Sequence, residues 1–371
     1  MTRRTFIRQG ALATAAVATT QGAEAAASPK EFAHIAIRAK DLDKTLDWYA
    51  KVLGTRIALH TGRGAFATYD DEHHRISFFS RPNNGPLPEN LQGFDRMAFG
   101  YRSIDELVHN YRRLKAIGIT PTKASELGPV TSLYYKDPTG LVNELFVERF
   151  DSAGDLEKYC ADGCLSESQG GLDPAKLSGE SVGPADKVIP PSALAHTVIK
   201  TQQYERMIDW YKLALNCSVK FQNDRVTFLS YDGTQHRIAI VNEKNLVAPG
   251  PAHGFDHYAF EFKTMEDLAV KTYARLKGHG LTPYWPTNHG MTTSFYYADP
   301  DLNRVELQVD NFRTKAECWK YITGPAFKAN FIGIDVNPDD LVDMVRGGAT
   351  YEQMHHRVEG PRTTPVPSPY A

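Results

Sequence analysis

The stretch "HIAIRAKDLDKTLDWYAKVLG", His34–Gly54, is repeated as "HTVIKTQQYERMIDWYKLALN", His196–Asn216. In both copies the Asp-Trp-Tyr triplet begins 13 residues after the histidine, at Asp47 and at Asp209. The match continues downstream in the same order. "YDDEHHRISFF" from Tyr69 answers "YDGTQHRIAIV" from Tyr231, and "GFDRMAFGY" from Gly93 answers "GFDHYAFEF" from Gly254. "SLYYKDPTGLVNELFV" from Ser132 answers "SFYYADPDLNRVELQV" from Ser294. Each copy reads as a strand, an amphipathic helix and several short strands. "FAHIAIRA" and "LAHTVIKT" alternate as half-buried strands do, whereas "DLDKTLDWYAKVL" and "YERMIDWYKLAL" space their apolar residues helically. A second helix in each copy starts after a Ser or Thr cap and ends at Gly.

Three residues of the second copy stand out: His196, His257 and Glu306. Two neutral imidazoles and one carboxylate make the facial triad that binds non-haem Fe(II) and leaves positions open for substrate and O₂. The first copy has His34, Arg96 and Glu144 at the matching places. A cation replaces a ligand there, so the first copy is expected to be metal-free, with Arg96 paired to Glu144.

On these blocks, and on "TNHGMTTSFYYADPDLNRVE" from Thr287 to Glu306, residues 31–312 resemble the vicinal oxygen chelate (glyoxalase/bleomycin resistance/dioxygenase) superfamily. Within it the chain is most similar to two-module type I extradiol ring-cleavage dioxygenases. Leu302 departs from that pattern, which usually has Gly or Pro there. The resemblance implies an α+β fold of two tandem modules built of paired βαβββ units, with Fe(II) in the C-terminal module. It implies a catechol-type diol and O₂ as reactants, and Mn(II) suits the same triad. His236 becomes the acid/base near O₂, and His289 and Tyr296 become partners of the diol oxygens. His74, the counterpart of His236, is expected only to pack or cap, and His253 reads as a loop residue. A glyoxalase-like isomerase or lyase and a non-catalytic binding protein are the rival readings. Family members often assemble, which leaves a homo-oligomer open.

The remaining segments are expected to flank this body. Residues 1–28 resemble a twin-arginine export signal, with Arg3 and Arg4, a short apolar run and "AEA" at Ala23–Ala25. Export by that machinery would put the mature protein in the periplasm or outside the cell. The run is too short to span a membrane stably. The modules are bounded as 31–150 and 193–312, with a Gly/Ser/Pro-rich linker, 151–192, between them. The linker is long enough to wrap a module or reach the pocket rim. Residues 313–371 form a helical extension with an extended tail, and His355 and His356 in it read as surface residues. Cys160 and Cys164 could form a local disulfide or stay as thiols. The 371 residues carry a net charge of −2 and are 42% hydrophobic and 23% charged, so nothing argues for nucleic acid or an acidic membrane as partner.

Overall fold

The computed structural model describes residues 25–127, 130–150, 152–161, 171–248, 252 and 254–370. Most of the leader (1–24), His253, Cys164 and the side chain of Cys160 lie outside the described residues.

Four βαβββ units follow one another. The first holds β1 (Glu31–Ala39), α1 (Leu42–Leu53), β2 (Arg56–Thr61), β3 (Gly64–Thr68) and β4 (Ile76–Ser80). The second holds β5 (Gly93–Gly100), α2 (Ile104–Ala116), β6 (Lys123–Leu127), β7 (Val130–Lys136) and β8 (Val142–Glu148). After α3 (Ala153–Ala161) comes the third, with β9 (Ala193–Thr201), α4 (Tyr204–Leu215), β10 (Ser218–Gln222), β11 (Val226–Ser230) and β12 (Ile238–Asn242). In the fourth, β13 (Gly254–Glu261) precedes a π-helical stretch, Glu266–Ala274, which runs into α5 (Arg275–Gly278). Strands β14 (Trp285–Asn288), β15 (Thr292–Ala298) and β16 (Arg304–Asp310) complete it. The extension adds α6 (Lys315–Ile322), α7 (Pro325–Ala329), β17 (Ile334–Asp335), α8 (Pro338–Arg346) and α9 (Tyr351–His355).

Local chemistry explains the repeated elements. Asp41 caps α1 by accepting from Lys44 N–H, and α1 ends at Gly54 with φ 72°. Asn216, at φ 53°, ends α4 in the same way. The buried stripes Leu46–Tyr49–Val52–Leu53 and Met207–Ile208–Tyr211–Leu215 seat the two helices on their sheets. Leu302, the residue that departed from the family pattern, sits at φ 64° where its counterpart Gly140 sits at φ 95°. A leucine there costs about 1 kcal/mol or more. The buried Asp299 carboxylate holds the turn by accepting from Asp301 N–H and Asn303 N–H.

The units do not pair in sequence order. One sheet runs β17-β14-β15-β16-β13-β1-β4-β3-β2, joining the first unit to the fourth. The other runs β10-β11-β12-β9-β5-β8-β7-β6, joining the third to the second. The seams are antiparallel, β1 on β13 and β5 on β9. Each sheet therefore takes one half from each sequence repeat.

The linker lies on the second unit. His109 Nε2–H donates to Lys187 O at 2.8 Å, and Asn110 Nδ2–H donates to Ile189 O at 2.7 Å. The extension is not peripheral, because β17 extends the sheet edge beside β14. His355, read as a surface residue, is buried, with Nδ1 3.0 Å from Asn311 Oδ1. No helix among the described residues is long and apolar enough to cross a membrane.

Candidate metal centre

The β1–β13 seam assembles the site. His34 lies opposite Ala259 on β13, Ala259 lies opposite Glu306 on β16, and His257 lies two residues before Ala259. Strand side chains two apart share a face, so all three project to one side, and the small alanine leaves room between them. His34 Nε2 is 3.3 Å from His257 Nε2. Glu306 Oε2 is 3.1 Å from the first nitrogen and 3.2 Å from the second. These side chains are buried, and Glu306 Oε2 makes no aligned hydrogen bond. The three ligand atoms lie within 4.8 Å of one another. Two imidazole nitrogens and an orphaned carboxylate oxygen converging on one point fit a divalent ion of intermediate softness.

This geometry corrects the expected ligand set. His257 and Glu306 come together as expected, but their third partner is His34 and not His196. His196 lies on β9, opposite Ala98 on β5, in the other sheet. Its Nε2 is 3.6 Å from Glu144 Oε2, and Arg96 Nε–H donates to that oxygen at 2.9 Å. The expected Arg96–Glu144 pair is present, with His196 rather than His34 beside it. The cause is the exchange of units at the seams, which moves each histidine strand to the opposite partner.

The acid/base position moves with it. His236 stacks on Phe228 at 4.2 Å and lies 4.1 Å from His196, so it flanks the Arg96 cluster. The corresponding residue at the candidate metal centre is His74, whose ring centroid is 4.2 Å from that of His34. His289 and Tyr296 do reach this centre. Ile332 O can only accept, so His289 Nδ1 carries the proton in their 2.6 Å bond. Burial pushes His289 down to about 4, so Nε2 is bare at neutral pH and accepts the Tyr296 O–H at 3.0 Å. Tyr296 lies opposite Glu306 in the β15–β16 ladder, and Trp285 stacks on it at 4.6 Å.

Electrostatics favour the ionised form of the Glu306 carboxyl. Burial opposes ionisation of Glu306, but His34 and His257 hold its carboxyl well below the usual range. Burial and His34 push His74 well below the ordinary imidazole value. Asp256 accepts from His257 Nδ1–H at 2.8 Å and from Arg304 Nη1–H at 3.2 Å, which fixes the His257 ring with Nε2 free to ligate. A cavity of about 250 Å³ opens over the donors, walled by Phe66, Phe79, Trp285 and Met291 and by Phe331, Ile332 and Val366 of the extension.

A model of the Glyoxalase/Bleomycin resistance protein/Dioxygenase superfamily matches residues 31–145 and 193–307. The chain belongs to this superfamily. It is 36% identical over 178 residues to biphenyl-2,3-diol 1,2-dioxygenase 2 of Rhodococcus globerulus, covering 47% of this chain and 93% of that protein. Biphenyl-2,3-diol 1,2-dioxygenase 3 of the same organism is 37% identical over 176 residues, covering 47% and 92%. Within the superfamily, these relatives make the chain an enzyme of the extradiol ring-cleavage dioxygenase kind. In fold it is similar to a candidate dioxygenase from Bacillus subtilis, with TM-score 0.58, 13% identity and 79% of this chain and 91% of that one covered. It is also similar to glyoxalase I from Zea mays, with TM-score 0.50, 16% identity and coverage of 79% and 95%.

Sequence reasoning passed over Asp256, Trp285 and the walls supplied by the extension, and it expected His74 only to pack or cap. The acidic residue directly before His257 was the available signal for Asp256, since a ligand histidine needs an orienting acceptor.

Proposed function

We propose that His34, His257 and Glu306 hold Fe(II), and that the enzyme cleaves the ring of a catechol-type diol with both atoms of O₂. The observation that carries this is a buried two-His, one-carboxylate cluster at the floor of an aromatic cavity. When bound, Fe(II) supplies open coordination positions and electron density for the diol and O₂.

The chain's own groups do the rest. The Tyr296 O–H donates its hydrogen bond to His289 Nε2, so its oxygen lone pairs are left for a diol hydroxyl. His74, neutral and buried at the cavity, accepts a proton from the diol and later returns it. The aromatic and aliphatic walls exclude water and suit a planar substrate with an apolar substituent. The diols named for the Rhodococcus relatives are of that kind. Export through the twin-arginine leader belongs to the same proposal, and a fusion of residues 1–28 to a reporter tests it.

The test is anaerobic reconstitution with Fe(II), followed by O₂ uptake on a panel of catechols. Uptake with a yellow ring-opened product is expected. Tight metal binding without uptake on any diol would replace this reading by the isomerase or lyase one.

A further inference from the structure

Behind His74 lies a chain of side chains that the proposed reaction has not used. His73 Nδ1 is 2.6 Å from His74 Nδ1, and His73 Nε2 is 3.2 Å from Asp310 Oδ1. His73 and His74 are both buried, whereas the Asp310 side chain is 17% exposed and so reaches toward solvent. His74 Nε2 is buried without a hydrogen-bond partner, on a residue that borders the cavity. Among the described residues the Arg96 cluster has no such chain. Gln235 stands in place of His73, Glu148 in place of Asp310, and Nδ1 of His236 has no partner. The extra residues thus occur only where the metal ligands gather.

We propose that Asp310 and His73 are positioning residues that make His74 one end of a proton relay. This rests on the dioxygenase reading and names how its acid/base residue is recharged. Which atoms can donate fixes the tautomers. Asp310 accepts, so His73 carries a proton on Nε2. A neutral His73 then has a bare Nδ1, which accepts the N–H of His74 Nδ1. That leaves His74 Nε2 bare and able to act as a base.

When a diol hydroxyl gives its proton to His74 Nε2, an O–H bond breaks and an N–H bond forms. The Nδ1–H bond of His74 breaks in turn, and an N–H bond forms on His73 Nδ1. His74 stays neutral throughout and now presents Nε2–H, a donor. The extra charge rests on His73, where Asp310 and Glu72 face it and Lys315 opposes it from α6. Running the steps backward returns the proton to the cavity. The charge is thus kept off His74, whose Nε2 is unpartnered, and placed on a buried imidazole that the Asp310 carboxylate pairs.

Two readouts on the full-length protein test this. In the metal-free protein with ¹⁵N-labelled histidine, a coupling across the His73 Nδ1···His74 Nδ1 hydrogen bond is expected and should vanish in His73→Gln. Its absence in the wild type overturns the relay. In the Fe(II)-loaded enzyme, Asp310→Asn and His73→Gln should each lower kcat about 10- to 100-fold, with KM for the diol unchanged. Asp310→Glu should recover most of the loss. An unchanged kcat in Asp310→Asn, or an equal rise in KM, overturns the relay as well. If the wild type takes up no O₂, the dioxygenase reading fails while the coupling still decides the hydrogen-bond chain. Gln235 shows that this fold accommodates glutamine at the matching place, and Asp310→Asn serves if His73→Gln does not fold.

Discussion

The two seams are built from the same parts and end in opposite states. At one, His34, His257 and Glu306 converge beneath a cavity of about 250 Å³. At the other, His196, Arg96 and Glu144 occupy the equivalent strands, and the guanidinium stands where an ion would sit. Arg96 is held by Asp95 at 2.7 Å as well as by Glu144, and Ser132 O–H donates to Glu144 at 2.6 Å. Burial would raise the Glu144 carboxyl, but Arg96, with His196 and Ser132, holds it far below the usual range. One side chain, His257 against Arg96, separates a candidate metal site from a closed ion pair. Glu144 is buried and Arg96 half-buried, and a pair of this kind need not add net stability, but leaving the carboxylate without its partner is costly.

Removing one histidine from each seam should have opposite consequences. His257→Ala should abolish metal binding and O₂ uptake, whereas His196→Ala should leave both near wild type. Metal analysis and an oxygen electrode decide between this and a triad that includes His196. The acid/base pair separates next. His74→Ala should cut kcat by about 10²- to 10⁴-fold with metal retained, while His236→Ala changes it less than about 2-fold.

At the ion pair, Glu144→Gln leaves Arg96 with Asp95 alone and should cost about 1–3 kcal/mol in denaturant unfolding. The depressed Glu144 value fixes the sign of its pH dependence. Its contribution is complete above the unfolded carboxyl range, near 4.5, and declines as pH falls from there toward the lower folded value. The variant should lose that part of the acid sensitivity. The smallest effect is expected at Asp256→Asn, which keeps the shape around His257 but weakens its orienting bond. Metal affinity should fall about 10- to 100-fold, read by competition with a chelator.

Much of the fold was legible because the repeat fixes it. The matched helices, their caps and the strand alternation follow from local sequence. Which units share a sheet does not. His34 and His196 are both histidines on near-identical strands, so either pairing leaves one complete triad and one with arginine. Both seams also place an alanine, Ala98 or Ala259, between the histidine and the glutamate. No local pattern separates these solutions, and so His196 was expected in the cluster where His34 stands, and His236 beside it where His74 stands. His257, Glu306, His289 and Tyr296 were legible because the fourth unit supplies them under either pairing. The role of the extension was hidden because Ile332, Val366 and the buried Arg357 act through backbone and packing contacts that have no sequence motif.

The β1–β13 seam also sets an order of events during synthesis. His34 and His257 are 223 residues apart. At a translation rate of about 5–20 residues per second, β1 leaves the ribosome on the order of ten to forty seconds before the strand that completes it. Through that interval its hydrogen-bonding edge needs a temporary partner or a chaperone, since a bare apolar edge invites association with other chains. A nascent chain that stops short of β16 has every element of the first repeat and no metal centre. Capture of the ion would thus report that the chain has been made and closed through β16, and not its first half alone.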